Sequence, residues 1–355
     1  MLVHENLPGH HFLMIQRSSR ATLTQVNPYA PASPLEKSGR IHLDRLLMTN
    51  LSPASSPVRF DQDQGSKRTA APSFAGPNGG AAMTFANILN IVKEDVTETE
   101  LDVAVMLARS EKGHLSLLLV EAAEPPPVGV NLEFVSAPWQ AENQENRSRL
   151  LDRVQDLEAT LTRKGISNDV ECAYTEIVRI DNVVGEQAQL SDVAVIGNDI
   201  LADPVIRDAV LDGLLFHAHV PVIVNPTAAD KWEENTVLIA WTDAPAASAA
   251  VKASVPLLKR ARSVRAVMVD SSGSEREVTA KLQSYLSHHG IDIVVDFVGR
   301  NGLTVAEALD AHADQMQSDL LVMGAYGHSR LRERIFGGVT RSMLERRKRP
   351  IFISA

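Results

Sequence analysis

"SDLLVMGAYGHSRLRERIFGGVTRSML", Ser318–Leu344, is the segment on which the fold turns. An apolar run, Leu320–Met323, meets Gly324. A second glycine, Gly327, follows, and Gly337 and Gly338 open an amphipathic stretch. A short continuous apolar run bounded by glycine fits a strand buried on both faces, as in a parallel sheet. The pattern occurs twice in the chain. "QSDLLVMGA" (Gln317–Ala325) answers "LSDVAVIGN" (Leu190–Asn198). "SHHGIDIVVDF" (Ser287–Phe297) answers "RKGISNDVECAY" (Arg163–Tyr174), and "KRPIFIS" (Lys348–Ser354) answers "HVPVIVNP" (His219–Pro226).

Between these matches, short β-branched runs alternate with longer amphipathic stretches, which predicts about five strands and four helices in each half. Right-handed crossovers make each half a doubly wound α/β domain. The expected architecture is two tandem five-stranded parallel-sheet domains, 83–228 and 235–355, joined near Asn225–Glu234. Residues 1–82 are rich in Pro, Ser, Ala and Gly and offer little periodic apolar surface, so they are expected to form a disordered leader. Two explanations stay open: a flexible tail, or a start upstream of a natural first residue at Met83.

The composition narrows the function. The 355 residues carry a formal charge of −9, which argues against a general nucleic-acid binder. No apolar run approaches a membrane span, and the N-terminus lacks the pattern of a secretory signal, so the default location is cytoplasmic. The single cysteine, Cys172, rules out an intrachain disulfide and a cysteine-rich zinc site. No metal site is expected, and His10 and His11 in the leader carry no such signal.

The glycine segment carries the chemistry. In an open α/β sheet, ligands bind beyond the carboxyl ends of the strands. Glycines there allow close backbone approach and an anion nest of N–H groups. Gly337 and Gly338 stand at a helix start, where exposed N–H groups and the dipole favour phosphate. Thr340 adds a hydroxyl donor, and Arg330, Arg332 and Arg334 can hold a polyphosphate. A tight turn with a solvated arginine face fits the same spacing.

The spacing of Gly324, Gly327 and Gly337 after "SDLLVM", followed by "VTRSML", resembles the signature of the universal stress protein family. Residues from about Phe85 to Ala355 are similar to two such domains, of the adenine nucleotide alpha hydrolase-like fold. The resemblance implies an adenine nucleotide, ATP or another, with or without Mg2+, in the second domain. It places Gly324, Gly327 and Gly337 on ribose and phosphates, with Met323, His328, Arg330, Val339 and Thr340 beside them. It places Val269 at the adenine side and Ala240 and Thr242 at the first-strand contacts. Two positions depart from the pattern. Thr242 stands where an aspartate is expected, with Asp243 adjacent, and Gly338 replaces a Ser or Thr. Together these lose a ribose acceptor and a phosphate hydroxyl, roughly 2 kcal/mol, or more than about a factor of ten in affinity. The first domain lacks the second and third glycines and carries acidic residues where phosphate would approach, so it is expected to be structural.

The resemblance thus implies a stress-response regulator with an adenine nucleotide, an unidentified protein partner and a homodimeric state; it also implies that the closing strands "VPVIVN" and "PIFIS" pair edge to edge within the chain, burying edges that otherwise invite association. The alternative is a nucleotide-free scaffold. No dedicated catalyst is expected, at most a weak ATPase, because no carboxylate or lysine has a clear place as base or metal ligand. His328 and Ser329 lack an acidic orienter for a triad. The basic run "ERRKRP" fits a helix end complementing its dipole.

Overall fold

The computed structural model describes residues 12–17, 20–25, 85–125, 132–226, 235–270, 275–325 and 338–355. They fall in one compact unit, formed by Phe12–Gln25 with Met83–Ala355. The first half runs β3 (Asn87–Val92), α1 (Glu98–Glu111), β4 (His114–Ala123), α2 (Leu132–Arg163), β5 (Asn168–Glu176), α3 (Ile180–Ala188), β6 (Val193–Ile196), α4 (Asn198–Ala202), α5 (Pro204–Asp212) and β7 (Val222–Val224). The second runs β8 (Thr236–Ala240), α6 (Pro245–Leu258), β9 (Ser263–Val269), α7 (Glu275–His288), β10 (Ile293–Val298), α8 (Val305–Gln315), β11 (Leu320–Gly324), α9 (Gly338–Arg346) and β12 (Ile351–Ser354).

Both halves follow one topology. The order across the sheet is β10-β9-β8-β11-β12 and then β7-β6-β3-β4-β5, the same path read outward in opposite directions. Within each half the strands are parallel. The halves join where β12 pairs antiparallel with β7, Phe352 opposite Ile223. The two closing strands therefore pair within the chain. The joint is also stitched by side chains: Asn225 Nδ2 donates to the Arg347 carbonyl at 3.0 Å, and Arg347 donates to the Leu201 carbonyl at 2.8 Å.

Burial on both faces explains the continuous apolar runs. In β3, Ile88 and Val92 enter one core, with α1, α2 and α6, while Leu89 and Ile91 enter the other, with α3, α5, α8 and α9. Each core runs through both halves, so the twelve-stranded sheet has two apolar layers rather than four separate ones.

Three local features depart from the sequence pattern. Residues 1–82 showed no strand signal, yet β1 (Phe12–Arg17) and β2 (Arg20–Gln25) form an antiparallel ribbon. β1 pairs with β5, Ile15 opposite Ala173. The rest of the leader lies outside the described residues. Helix α2 begins at Leu132 and runs through Pro138, and Trp139 Nε1 fastens it to the Glu124 carbonyl at 3.3 Å. Helix α5 ends at Asp212 and continues as a π-helical turn, Gly213–His217. There α3 comes so close that a Cβ on Gly213 would lie 2.4 Å from the Asp181 carbonyl oxygen.

Helix starts are set by local chemistry. Thr97 and Thr304 each cap a helix in a reciprocal box, with Glu100 and Glu307 returning the bond. Replacing such a cap by alanine costs about 1 kcal/mol. Thr304→Ala is therefore expected to lower unfolding stability by about that much in urea titration, with the slope unchanged.

Candidate functional site

The second half has its topological switch between β8 and β11, since β8 leads to β9 on one side and β11 to β12 on the other. Ala240 and Met323 are register partners at the carboxyl ends of these strands. Ala240 also faces Val267, and the Trp241 N–H bonds the Val267 carbonyl at 2.9 Å. Val269 ends β9 two positions further on and, with Ala240 and Val339, packs on the α8 side. Past Trp241, Thr242 and Asp243 are exposed. Helix α6 then starts with Ala244 at its N-cap and Pro245 next, and no side chain among the described residues caps it. Its first N–H groups are left for another partner.

Gly324 is the hinge of this geometry. A Cβ there would lie 2.4 Å from the Ala247 nitrogen and 2.5 Å from the Ala246 carbonyl carbon. The glycine lets the start of α6 press against the end of β11. Its backbone is not left-handed; among the described residues the left-handed glycines are Gly165, Gly290 and Gly302. Gly324 serves helix-on-strand packing, and that packing brings the α6 terminus to the carboxyl ends of β8 and β11. Helix α9 starts at Gly338 on the same edge, because the crossover between parallel β11 and β12 must begin there. Gly338 is exposed, with no described residue within 4 Å of where a Cβ would stand, and Thr340 is buried. Gly327, His328, Arg330 and Gly337 lie outside the described residues, as do Arg332 and Arg334.

The first half has the same switch, between β3 and β6, but fills it with its own side chains. Gly197 corresponds to Gly324. A Cβ there would meet the Asp199 and Glu100 carboxylates at 3.1 and 3.5 Å. Glu100 belongs to the α1 capping box, so that helix start is already occupied. Asp199 Oδ2 accepts from the Lys93 N–H at 2.7 Å, spanning the two strand ends. Burial, reinforced by Glu100 and Asp95, pushes the Asp199 carboxyl up to about 6. Arg149 pairs with Glu94 at 2.7 Å, and Arg153 donates to the Glu94 and Val96 carbonyls, both at 3.1 Å. Helix α2 thereby clamps the loop after β3.

Other candidates resolve into packing. Cys172 is buried, and burial pushes its thiol up to about 11, so it stays protonated. The basic run after α9 engages α8: Arg346 pairs with Glu307 and Asp310, Lys348 with Asp314, and Arg349 with Asp314. His289 packs edge-on against Tyr285. Among the described residues no group of three or more His, Cys, Asp or Glu is arranged to hold a metal, and no helix is long and apolar enough to cross a membrane. The uncapped α6 start was missed in the sequence. "WTDAPAAS" showed it, since Ala244, directly before the helix proline, cannot cap.

A universal stress protein from Archaeoglobus fulgidus superposes with a TM-score of 0.53 at 14% identity, covering 77% of this chain and 97% of its own. The fold is that of the universal stress proteins. A putative universal stress protein from Pseudomonas aeruginosa aligns at 15% identity over 78% of this chain and 95% of its own, with a TM-score of 0.49. A single-domain family member from Burkholderia pseudomallei covers 33% of this chain at 21% identity, with a TM-score of 0.26. No protein-family model and no curated protein matches the sequence. The universal stress protein fold thus spans both halves of this chain, as the matched length of the Archaeoglobus protein requires.

Proposed function

We propose that the second half binds ATP or another adenine nucleotide, alone or with Mg2+, and that occupancy regulates contact with a protein partner in the cytoplasm. The carrying observation is the contrast between two equivalent crevices. In the first, Glu100 and Asp199 fill the helix start. In the second, α6 begins uncapped against Gly324 and α9 begins at an exposed glycine. Two helix N-termini on one edge favour a polyphosphate through their N–H groups and aligned dipoles. Ala240 and Val269 supply an apolar flank for a base, and Thr242 and Asp243 supply exposed acceptors for a ribose. Gly327, Gly337, His328 and Arg330 belong to the same reading through their place between β11 and α9.

Thermal denaturation with nucleotide tests this. Ligand at about a hundred times its Kd adds about 2.7 kcal/mol to stability, so millimolar ATP raises the Tm by several degrees. Gly338→Glu, which meets no neighbour among the described residues, leaves the unliganded Tm in place and abolishes the shift by setting a carboxylate at the α9 start. An unchanged Tm at millimolar ATP and ADP would reject the reading.

A further inference from the structure

The sheet has two ends among the described residues, β2 and β10. The strand equivalent to β10 in the first half is β5, whose outer edge is covered by β1. β10 has β9 on one side and no strand on the other among the described residues. Its sequence, Ile293–Val298, contains no lysine or proline of the kind that blunts an edge. Val294 and Phe297 are 53% and 49% exposed. The Val298 carbonyl accepts from the Asp270 N–H at 3.0 Å, so Val294, Asp296 and Val298 turn their backbone groups toward β9. Strand alternation then turns the N–H and C=O groups of Ile293, Val295 and Phe297 outward.

We propose that this edge pairs antiparallel with β10 of a second copy of the chain, extending the sheet across a two-fold axis. The strand is self-complementary about Asp296. With Asp296 at the axis, Val295 lies opposite Phe297 and Val294 opposite Val298, so each exposed apolar side chain gains an apolar partner. The same register sets Asp292 opposite Arg300, both exposed, at each end of the pair, where Arg300, held by Asp270 of its own chain, stands between two carboxylates. Centring on Val295 instead sets Val294 against Asp296 and loses the terminal ion pairs. The two Asp296 carboxylates meet already compensated, each held by Arg265 at 2.6 and 2.9 Å and by His312 at 3.0 Å. The opposite end of the sheet, β2, reads Arg-Ala-Thr-Leu-Thr-Gln and lacks this self-match.

Sedimentation equilibrium on the full chain at tens of micromolar tests the assignment. The wild type sediments as a dimer. Phe297→Lys weakens association at least about tenfold, with an unchanged far-UV spectrum, because the two copies carry like charge into the pairing. Thr22→Lys on β2 leaves the dimer intact. In the wild type, hydrogen exchange at the Val295 and Phe297 amides is slow and concentration-dependent; in Phe297→Lys it is fast. A monomeric wild type, a dimer that survives Phe297→Lys, or a dimer dissolved only by Thr22→Lys overturns the proposal.

Discussion

Gly324→Ala destabilises the protein by about 3 kcal/mol, near the top of the usual range for overpacking, while Gly338→Ala leaves stability within about 0.5 kcal/mol. The two glycines belong to one sequence motif and would read alike in a motif scan. Their surroundings differ. The added methyl at Gly324 lands 2.4 to 2.8 Å from three backbone atoms of Ala246 and Ala247. Those atoms cannot rotate away as a side-chain tip can, so relief requires the whole start of α6 to lift from β11. That movement disturbs Ala247 and Ala250, which are buried against the sheet. At Gly338 the methyl meets nothing among the described residues, and alanine is the better helix former. Urea denaturation of both variants gives the difference directly. Equal effects would mean that the close contact does not govern the β11–α6 junction. The pair also separates two meanings of a glycine signature, since the first position builds the crevice and the later one leaves room in it.

The large elements were legible because apolar period and length agree. β3 through β12 each appear as an apolar run, and the duplicated strings around Gly197 and Gly324 expose the repeat without any structure. The β7–β12 joint was expected only through the family resemblance, in which the closing strands of two domains pair; no local pattern in either strand encodes its partner. The β1–β2 ribbon was not. "FLMIQR" sits among residues of leader-like composition, and its pairing with β5 is a long-range contact that no local pattern encodes. The extra turns of α2 were hidden by Pro138, which signals a break. At the site, the sequence located Ala240, Met323 and Gly324 on adjoining strand ends. It could not show that Gly324 faces a helix backbone, or that Asp199 reaches across to Lys93, because both depend on how closely separate elements approach.

Asp199→Asn should make the protein more stable at pH 8, by up to roughly 3 kcal/mol. The carboxyl sits at about 6 in the fold against an ordinary value of 3.8, chiefly because burial penalises its charged form. Each unit of that displacement corresponds to about 1.4 kcal/mol. A folded-state value above the unfolded one means that the stability contribution is complete below about pH 3.8 and is lost as pH rises through about 6. The wild type therefore carries the cost of a buried anion throughout the neutral range. Asparagine removes the charge and keeps an acceptor for the Lys93 N–H, now held at 2.7 Å. Its amide group takes the place of Oδ1, a buried atom without a hydrogen-bond partner among the described residues. Denaturation at pH 8, 6 and 4 should show the variant's advantage shrinking toward zero at the acid end, while other carboxylates shift both proteins together. An advantage that stays constant with pH would place the effect in packing. A loss of stability at pH 8 would mean that the charged bond across the ends of β3 and β6 outweighs the cost of burying it, and that the first crevice is held shut by that charge.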